Sequence, residues 1–430
     1  MIPNDEVLHG FTPSFDMGVM RGALETHLPS LGTVIACRIE RFRYRKQKRA
    51  IFLYEFETPS GRGWICGRLY PGSKARRTFD DARGDKNIGF IPELDMLLER
   101  FPQDRKLGFI GGLMRGKGEA LVNSLATCFD PSWQLSVTEI VPIRYSPGIA
   151  AVFRVEVATT SGTQTAVRRF YVKTYAERDV TGLFHDLSQN RDGRTYCLLR
   201  PIAVIPQANT IVWPEVRGRS LAEALHDGGS QACFATGAAA LTEFHQSQQA
   251  LRKVSPAEFV RRDCAKLAEF LSAMHPSLSG PTDELAQALP KAFAQHALAP
   301  FHCDMKPEHV FIHDGQATLI DVDGIALGDP ALDIGNMLAR INAACWLNRA
   351  SRESCRLAVT AFLEGIAPVP EPRLAAAYAL GKMKTATFAV SHQIEDWARI
   401  ASCEIDSAIH ALHGTSLYNA LECRETVTFA

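Results

Sequence analysis

The sequence predicts a two-lobed α+β protein, from three observations: a strand-rich first half, a helix-rich second half beginning near residue 222, and a tight hairpin at 310–320 that gathers polar side chains at one end. In the first half, residues 50–57 (AIFLYEFE), 64–70 (WICGRLY), 150–158 (AAVFRVEVA) and 167–175 (VRRFYVKTY) are β-branched and aromatic runs bounded by Gly, Pro, Ser and Thr. Such runs form strands, and their spacing predicts antiparallel hairpins. In the second half, residues 221–251, 256–274, 330–344, 353–364 and 373–413 carry apolar residues at helical spacing and predict helices packed on one another. The chain is long enough for more than one core. The expected division is a cap at 1–130, a strand-built lobe at 131–221 and a helical lobe at 222–430.

Composition excludes several functions. Lys plus Arg equals Asp plus Glu at 47 each, so no global field draws the protein to nucleic acid or anionic lipid. One basic run, Arg41 to Arg49, alternates with aromatics, which fits a solvated strand edge better than a nucleic-acid patch. The 11 cysteines are spread singly with no C-x-x-C pair, against a zinc ribbon or a thioredoxin-like motif. The N-terminal residues show no leader pattern and no apolar stretch is long enough for a bilayer span, so a cytosolic protein is expected, with no membrane partner.

The chain also resembles itself. Residues 43–56 (RYRKQKRAIFLYEF) align without gaps on 144–157 (RYSPGIAAVFRVEV) with five identities, Arg68 then falls where Lys173 stands, and 97–107 aligns with 212–221. This pattern predicts that the cap is a degenerate copy of the strand-built lobe.

The richest chemistry lies in 301–340. Val310 to Ile312 and Ala317 to Ile320 flank the turn His313-Asp314-Gly315-Gln316, and hairpin geometry brings Asp304 and His309 near Asp321 and Asp323. Three carboxylates and an imidazole in one place suit Mg²⁺ or Mn²⁺, and phosphoryl transfer needs such a cluster to neutralise the transferring group and orient a hydroxyl. The same residues cap turns in a purely structural hairpin, as expected of Asp314 and Asp329.

His302-Cys303-Asp304-Met305-Lys306-Pro307-Glu308-His309, followed by Asp321 and by Gly328-Asp329-Pro330-Ala331-Leu332-Asp333, resembles the catalytic loop and later motif of the aminoglycoside and choline-type phosphotransferases of the protein-kinase-like fold. The resemblance, over about residues 135–400, implies a protein-kinase-like two-lobed fold and an ATP-dependent small-molecule kinase using Mg²⁺ or Mn²⁺. It implies that Asp304 orients the acceptor hydroxyl, Lys306 faces the γ-phosphate, Asp321 and Asp323 serve the metals, and His302 and Asp333 brace the loop. His309 stands where the family has Asn, so metal preference is altered or turnover impaired.

For the nucleotide, the resemblance points to Lys173 on the phosphates, with Glu177 or Asp186 as its partner, and to the backbone of Glu215 and Val216 against adenine. Tyr145-Ser146-Pro147-Gly148 is similar to the short turn that replaces a Gly-rich loop in kinases of small substrates, and His245 is expected to be structural. The extra N-terminal residues are similar to the caps of maltokinases and glucosamine kinases, making a sugar or aminosugar hydroxyl the leading acceptor. Amino alcohols, aminoglycosides and homoserine-like acids stay open, as do Trp346, His392, Glu395, Asp396 and Trp397 as their contacts. A pseudokinase and a nucleotide-binding or protein-interaction module are the competing readings. Neither the acceptor nor the oligomeric state follows from the sequence.

Overall fold

Alternation of apolar and polar residues through 36–69 builds three strands, β1 (Ala36–Arg45), β2 (Arg49–Thr58) and β3 (Gly61–Leu69), preceded by α1 (Met17–His27), whose first turn Asp16 caps. Because side chains alternate faces, Phe42, Tyr44, Phe52 and Tyr54 share one face, where the Phe11 ring stacks 3.9 Å from Tyr44. Helix α2 (Lys74–Asp81), β4 (Ile88–Ile91) and β5 (Met96–Arg100) complete a sheet of order β1-β2-β3-β5-β4. Two short helices, α3 (Phe109–Arg115) and α4 (Glu119–Ala126), lead into β6 (Gln134–Ser146), β7 (Ala150–Ser161) and β8 (Gln164–Tyr175).

After α5 (Val180–Ser188) and β9 (Tyr196–Leu198), β10 (Ala203–Ile205) and β11 (Thr210–Pro214) complete a second sheet of order β10-β11-β8-β7-β6. Numbered from its own first strand, that order is the order of the first sheet. In each, a proline-led 3-10 turn joins the last two strands and ends on a left-handed residue, Asp95 at φ 48° and Asn209 at φ 49°. Ile110, Leu113, Leu121 and Leu125 of the two short helices bury against Phe153, Val155, Val172 and Val212 of the second sheet, the greasy face that its alternation creates.

The computed structural model describes residues 2–82, 84–115, 118–129, 131–228, 231–294 and 297–414; the end of the expected helical lobe, 415–430, lies outside them. The chain forms two units, Met1–His185 with Pro201–Glu215 and Ser391–Gln393, and Asp186–Arg200 with Val216–Val390 and Ile394–Ala430. Cap and strand-built region thus share one unit, while 186–200 and 216–221 go with the helices.

In the second unit, β12 (Arg219–Ser220), β14 (Val310–His313) and β15 (Gln316–Leu319) form a sheet with β9, which runs parallel to β15. A separate pair joins β13 (Ala299–Phe301) to β16 (Ala326–Gly328). The helices are α6 (Leu221–His226), α7 (Gln231–Gln246), α8 (Pro256–Met274), α9 (Ser279–Ala288), α10 (Ala331–Trp346), α11 (Arg352–Gly365), α12 (Glu371–Ser391) and α13 (Trp397–His413). Two runs predicted as single helices are broken. Residues 221–251 divide into α6, started by a Ser220–Glu223 capping box, and α7, while 373–413 divide at Gln393 and Asp396, both left-handed. Helix α10 is buried around its circumference, and a Cβ on Gly335 would lie 2.3 Å from the Ala377 carbonyl carbon, so only glycine lets α12 approach that closely. Among the described residues no helix is long and apolar enough to cross a membrane.

Candidate active site

The hairpin β14–β15 turns through Asp314 at φ 47° and Gly315 at φ 77°, two left-handed residues that match the strands' own twist. The loop before it, 302–309, is anchored from α10. Asp333, in that helix's first turn, accepts the His302 and Cys303 amides at 2.6 and 3.1 Å, while His245 Nε2 lies 3.1 Å from the same carboxylate. Asp333 is 1% exposed, so these bonds replace the water it lost. They also hold Cys303 at φ 74°, which sends the loop outward. Asn336, one turn further along α10, donates to the Met305 carbonyl at 2.5 Å. His302 Nε2 donates to Ile320 O at 2.8 Å, tying the loop's start to the end of β15. The bracing roles of His302 and Asp333 are therefore visible as bonds, and His245 is part of the brace.

What the brace presents is a group of three, Asp304, His309 and Asp321, whose nearest ligand atoms lie within 4.8 Å of one another. His309 is 5% exposed, and its Nδ1 lies 3.0 Å from the Asp304 carbonyl oxygen. A carbonyl only accepts, so Nδ1 carries the proton and Nε2 keeps its lone pair. Burial, with the nearby Lys306 ammonium, pushes this imidazole down to about 3, which keeps it neutral. Its bare Nε2 stands 3.5 Å from Asp321 Oδ2. Two acceptors facing each other with no proton between them repel unless a cation joins them, so the donor set fits a divalent metal. Asp321 takes this position through a left-handed backbone, φ 57°.

Asp304 is over half exposed at 57%, and its Oδ2 accepts from Lys306 Nζ at 2.9 Å. Burial works against its charge, yet the Lys306 ammonium, by charge and hydrogen bond, and Lys384 outweigh that and hold the carboxyl below its ordinary value. Lys384, on α12, gave no motif signal: it is one of two lysines in a long helix and pairs with Asp263 at 3.6 Å. Asp323, expected beside Asp321, sits in the following 3-10 turn and does not belong to the group of three. Conversely Asp304, expected only to orient the hydroxyl, is in it. The Cys303 thiol is pushed up to about 12 by burial and donates to Gly324 O, so it is no nucleophile.

The expected nucleotide residues lie on the second sheet and just beyond it. Lys173 is half-buried on β8 with its Nζ 5.3 Å from the centre of the Tyr175 ring. The Glu215 amide donates to Arg169 O at 3.3 Å and its carboxylate lies 3.5 Å from Arg169, so the amide expected to face adenine is engaged within the sheet. Val216 opens the stretch that belongs to the second unit. Glu177, one of two expected partners for Lys173, bonds Lys106 at 2.5 Å. Trp346 ends α10 with its indole N–H buried and without a hydrogen-bond partner, and Trp397 meets His275 edge to face.

No curated protein sequence matches the chain. Among solved structures it is similar to a thermostable mutant of an aminoglycoside phosphotransferase in ternary complex with AMP-PNP and hygromycin B, at 14% identity over 69% of this chain and 100% of that one, TM-score 0.48. Choline kinases from Streptococcus pneumoniae (15% identity, 67% and 95% coverage, TM-score 0.41) and Cryptosporidium parvum (11%, 71% and 94%, 0.43) are also similar. Residues 194–376, which hold the whole braced loop, the hairpin and α10, match the model of the phosphotransferase enzyme family. Over that segment, a little under half of its length, the chain is similar to the phosphotransferase enzyme family.

Proposed function

We propose that the chain transfers the γ-phosphate of ATP to a hydroxyl of a sugar or aminosugar. The observation that carries the chemistry is the group of Asp304, His309 and Asp321, with a neutral imidazole whose lone pair is aimed beside a carboxylate. His309 and Asp321 would hold a divalent cation, Mg²⁺ or Mn²⁺, which supplies charge neutralisation for the triphosphate when bound. Asp304, ionised at neutral pH, receives the acceptor hydroxyl's proton as the new O–P bond forms and the bond to ADP breaks. Lys306, 2.9 Å from Asp304, keeps that carboxylate oriented and places one positive charge beside the transferring group. Lys173 is the cation for the remaining phosphates, Val216 supplies backbone contacts to adenine, and Asp323 is a further acidic group near the metals.

A polyol acceptor is supported by the aromatic and hydrogen-bonding character of Trp346, whose buried N–H lacks a partner, and by the exposed carboxylates Glu395 and Asp396. Measuring ADP release with Mg²⁺ and with Mn²⁺ across sugars, aminosugars, amino alcohols and aminoglycosides tests this. Turnover with a sugar or aminosugar that Asp321→Ala abolishes is the expected result; turnover confined to another acceptor class overturns the choice of acceptor. The imidazole in place of an amide at His309 favours a second reading, a nucleotide-binding protein without transfer, which ATP binding with no ADP release from any acceptor supports.

A further inference from the structure

The first sheet contains its own version of the lysine position. Arg144 pairs with Val152, Val152 with Lys173 and Lys173 with Ile211; in the first sheet the same ladder reads Arg43, Ile51, Arg68 and Leu97. Arg68 thus occupies the register of Lys173. Its surroundings differ. Arg68 bonds Glu99 through Nε and lies 3.7 Å from Asp104, with all three side chains at most 9% exposed. A guanidinium closed in by two buried carboxylates has no charge left for a phosphate.

What these residues do reach is the turn between β6 and β7. Asp104 Oδ2 accepts from the Tyr145 hydroxyl at 2.8 Å and from the Gly148 amide at 2.6 Å. Arg41 donates to Tyr145 O at 3.1 Å and to the Ser146 hydroxyl, and Arg43 donates to Pro147 O. Every residue of Tyr145-Ser146-Pro147-Gly148 is therefore held by a side chain from the N-terminal sheet or the loop that follows it. Both arginines are half-buried, and these bonds direct them to backbone oxygens of a turn about 104 residues away. Guanidinium-to-carbonyl bonds of this kind fix a loop, since the donor is charged and rigid.

We propose that the N-terminal sheet is a degenerate copy of the second sheet that no longer binds nucleotide, and that its Asp104, Arg41 and Arg43 are positioning residues for the nucleotide turn Tyr145–Gly148. The proposal rests on the reading of the chain as an ATP-dependent kinase. Its tip held from outside, the turn is preorganised, and releasing it weakens ATP binding without touching the acceptor.

The test compares the full chain with Asp104→Asn, Arg43→Met and Arg43→Lys, and with Arg38→Met, a β1 arginine that bonds Glu55 instead of the turn. Binding of a fluorescent ATP analogue with Mg²⁺, the KM for ATP, the KM for the acceptor and the melting temperature are measured for each. Asp104→Asn and Arg43→Met are expected to raise the analogue Kd and the ATP KM at least about fivefold with acceptor KM unchanged, Arg43→Lys to recover most of the loss, and Arg38→Met to match the parent. Should Asp104→Asn not fold, Arg43→Met, which removes one bond at a half-buried position, carries the test. Unchanged ATP binding in folded variants overturns the proposal and leaves the kinase reading standing. Tighter binding also overturns it, because Asp104 would then be competing with phosphate for the Gly148 amide. A parent chain that binds no ATP removes both.

Discussion

The two five-stranded sheets share strand order, ladder register and the left-handed residue before the last central strand, yet at one register position they hold opposite kinds of cation. Arg68 is closed in by Glu99 and Asp104; Lys173 is half-buried with Tyr175 beside it. The difference lies in the neighbours. Glu99 pairs with Cys66, and the corresponding pair in the second sheet is Trp213 with Tyr171, so the sealing carboxylate is a tryptophan there. Counting on without gaps from those strands, Asp104 corresponds to Gly218. On the proposed reading, one backbone frame would serve as a scaffold in the first sheet and as a binding surface in the second, depending on whether carboxylates are built in next to its cation.

Substitutions sharpen this contrast in descending size. Asp304→Asn, which lies in neither sheet, sets the scale: kcat is expected to fall by about 100- to 10,000-fold in a steady-state assay, the worth of a positioned acid–base group. Lys173→Met is expected to lower kcat/KM for ATP by about 100- to 1,000-fold while the melting temperature stays within about 2 °C. Arg68→Met is expected to do the reverse, costing about 3 kcal/mol in urea unfolding because buried Glu99 keeps only Arg105 as a cation and buried Asp104 keeps only neutral donors, with a smaller effect on ATP than Lys173→Met. An Arg68→Met protein as stable as the parent would break the contrast. Calorimetry should find one nucleotide per chain, whereas two would mean that the first sheet binds as well. The smallest effect is expected of Arg38→Met, whose partners are exposed or half-exposed, with a melting shift of no more than about 1 °C.

Local features were legible in the sequence and long-range ones were not. Strands at 49–58 and 164–175, helix 256–274 and the Asp314-Gly315 turn follow from alternation, helical period and turn chemistry. The loop at 302–309 was legible because its residues are sequential. Helices α12 and α13 read as one because the break at 392–396 carries no proline or glycine; Gln393 and Asp396 adopt left-handed backbone under tertiary packing. Arg41 and Arg43 looked like solvated edge residues since period and composition do not show that their acceptors lie on a turn about 104 residues on. Separation in sequence likewise hid Lys106 as the partner of Glu177.

Asp333 has a consequence for when the site exists at all. One carboxylate holds two loop amides from the first turn of a helix about 30 residues further on, while Asn336 of that helix holds a third loop residue. The start of the loop is therefore held from α10, and its opening is expected to be coupled to that of the first turn of the helix. Exchange of the His302 and Cys303 amides with solvent is therefore expected to report on an opening that also disperses Asp304, His309 and Asp321.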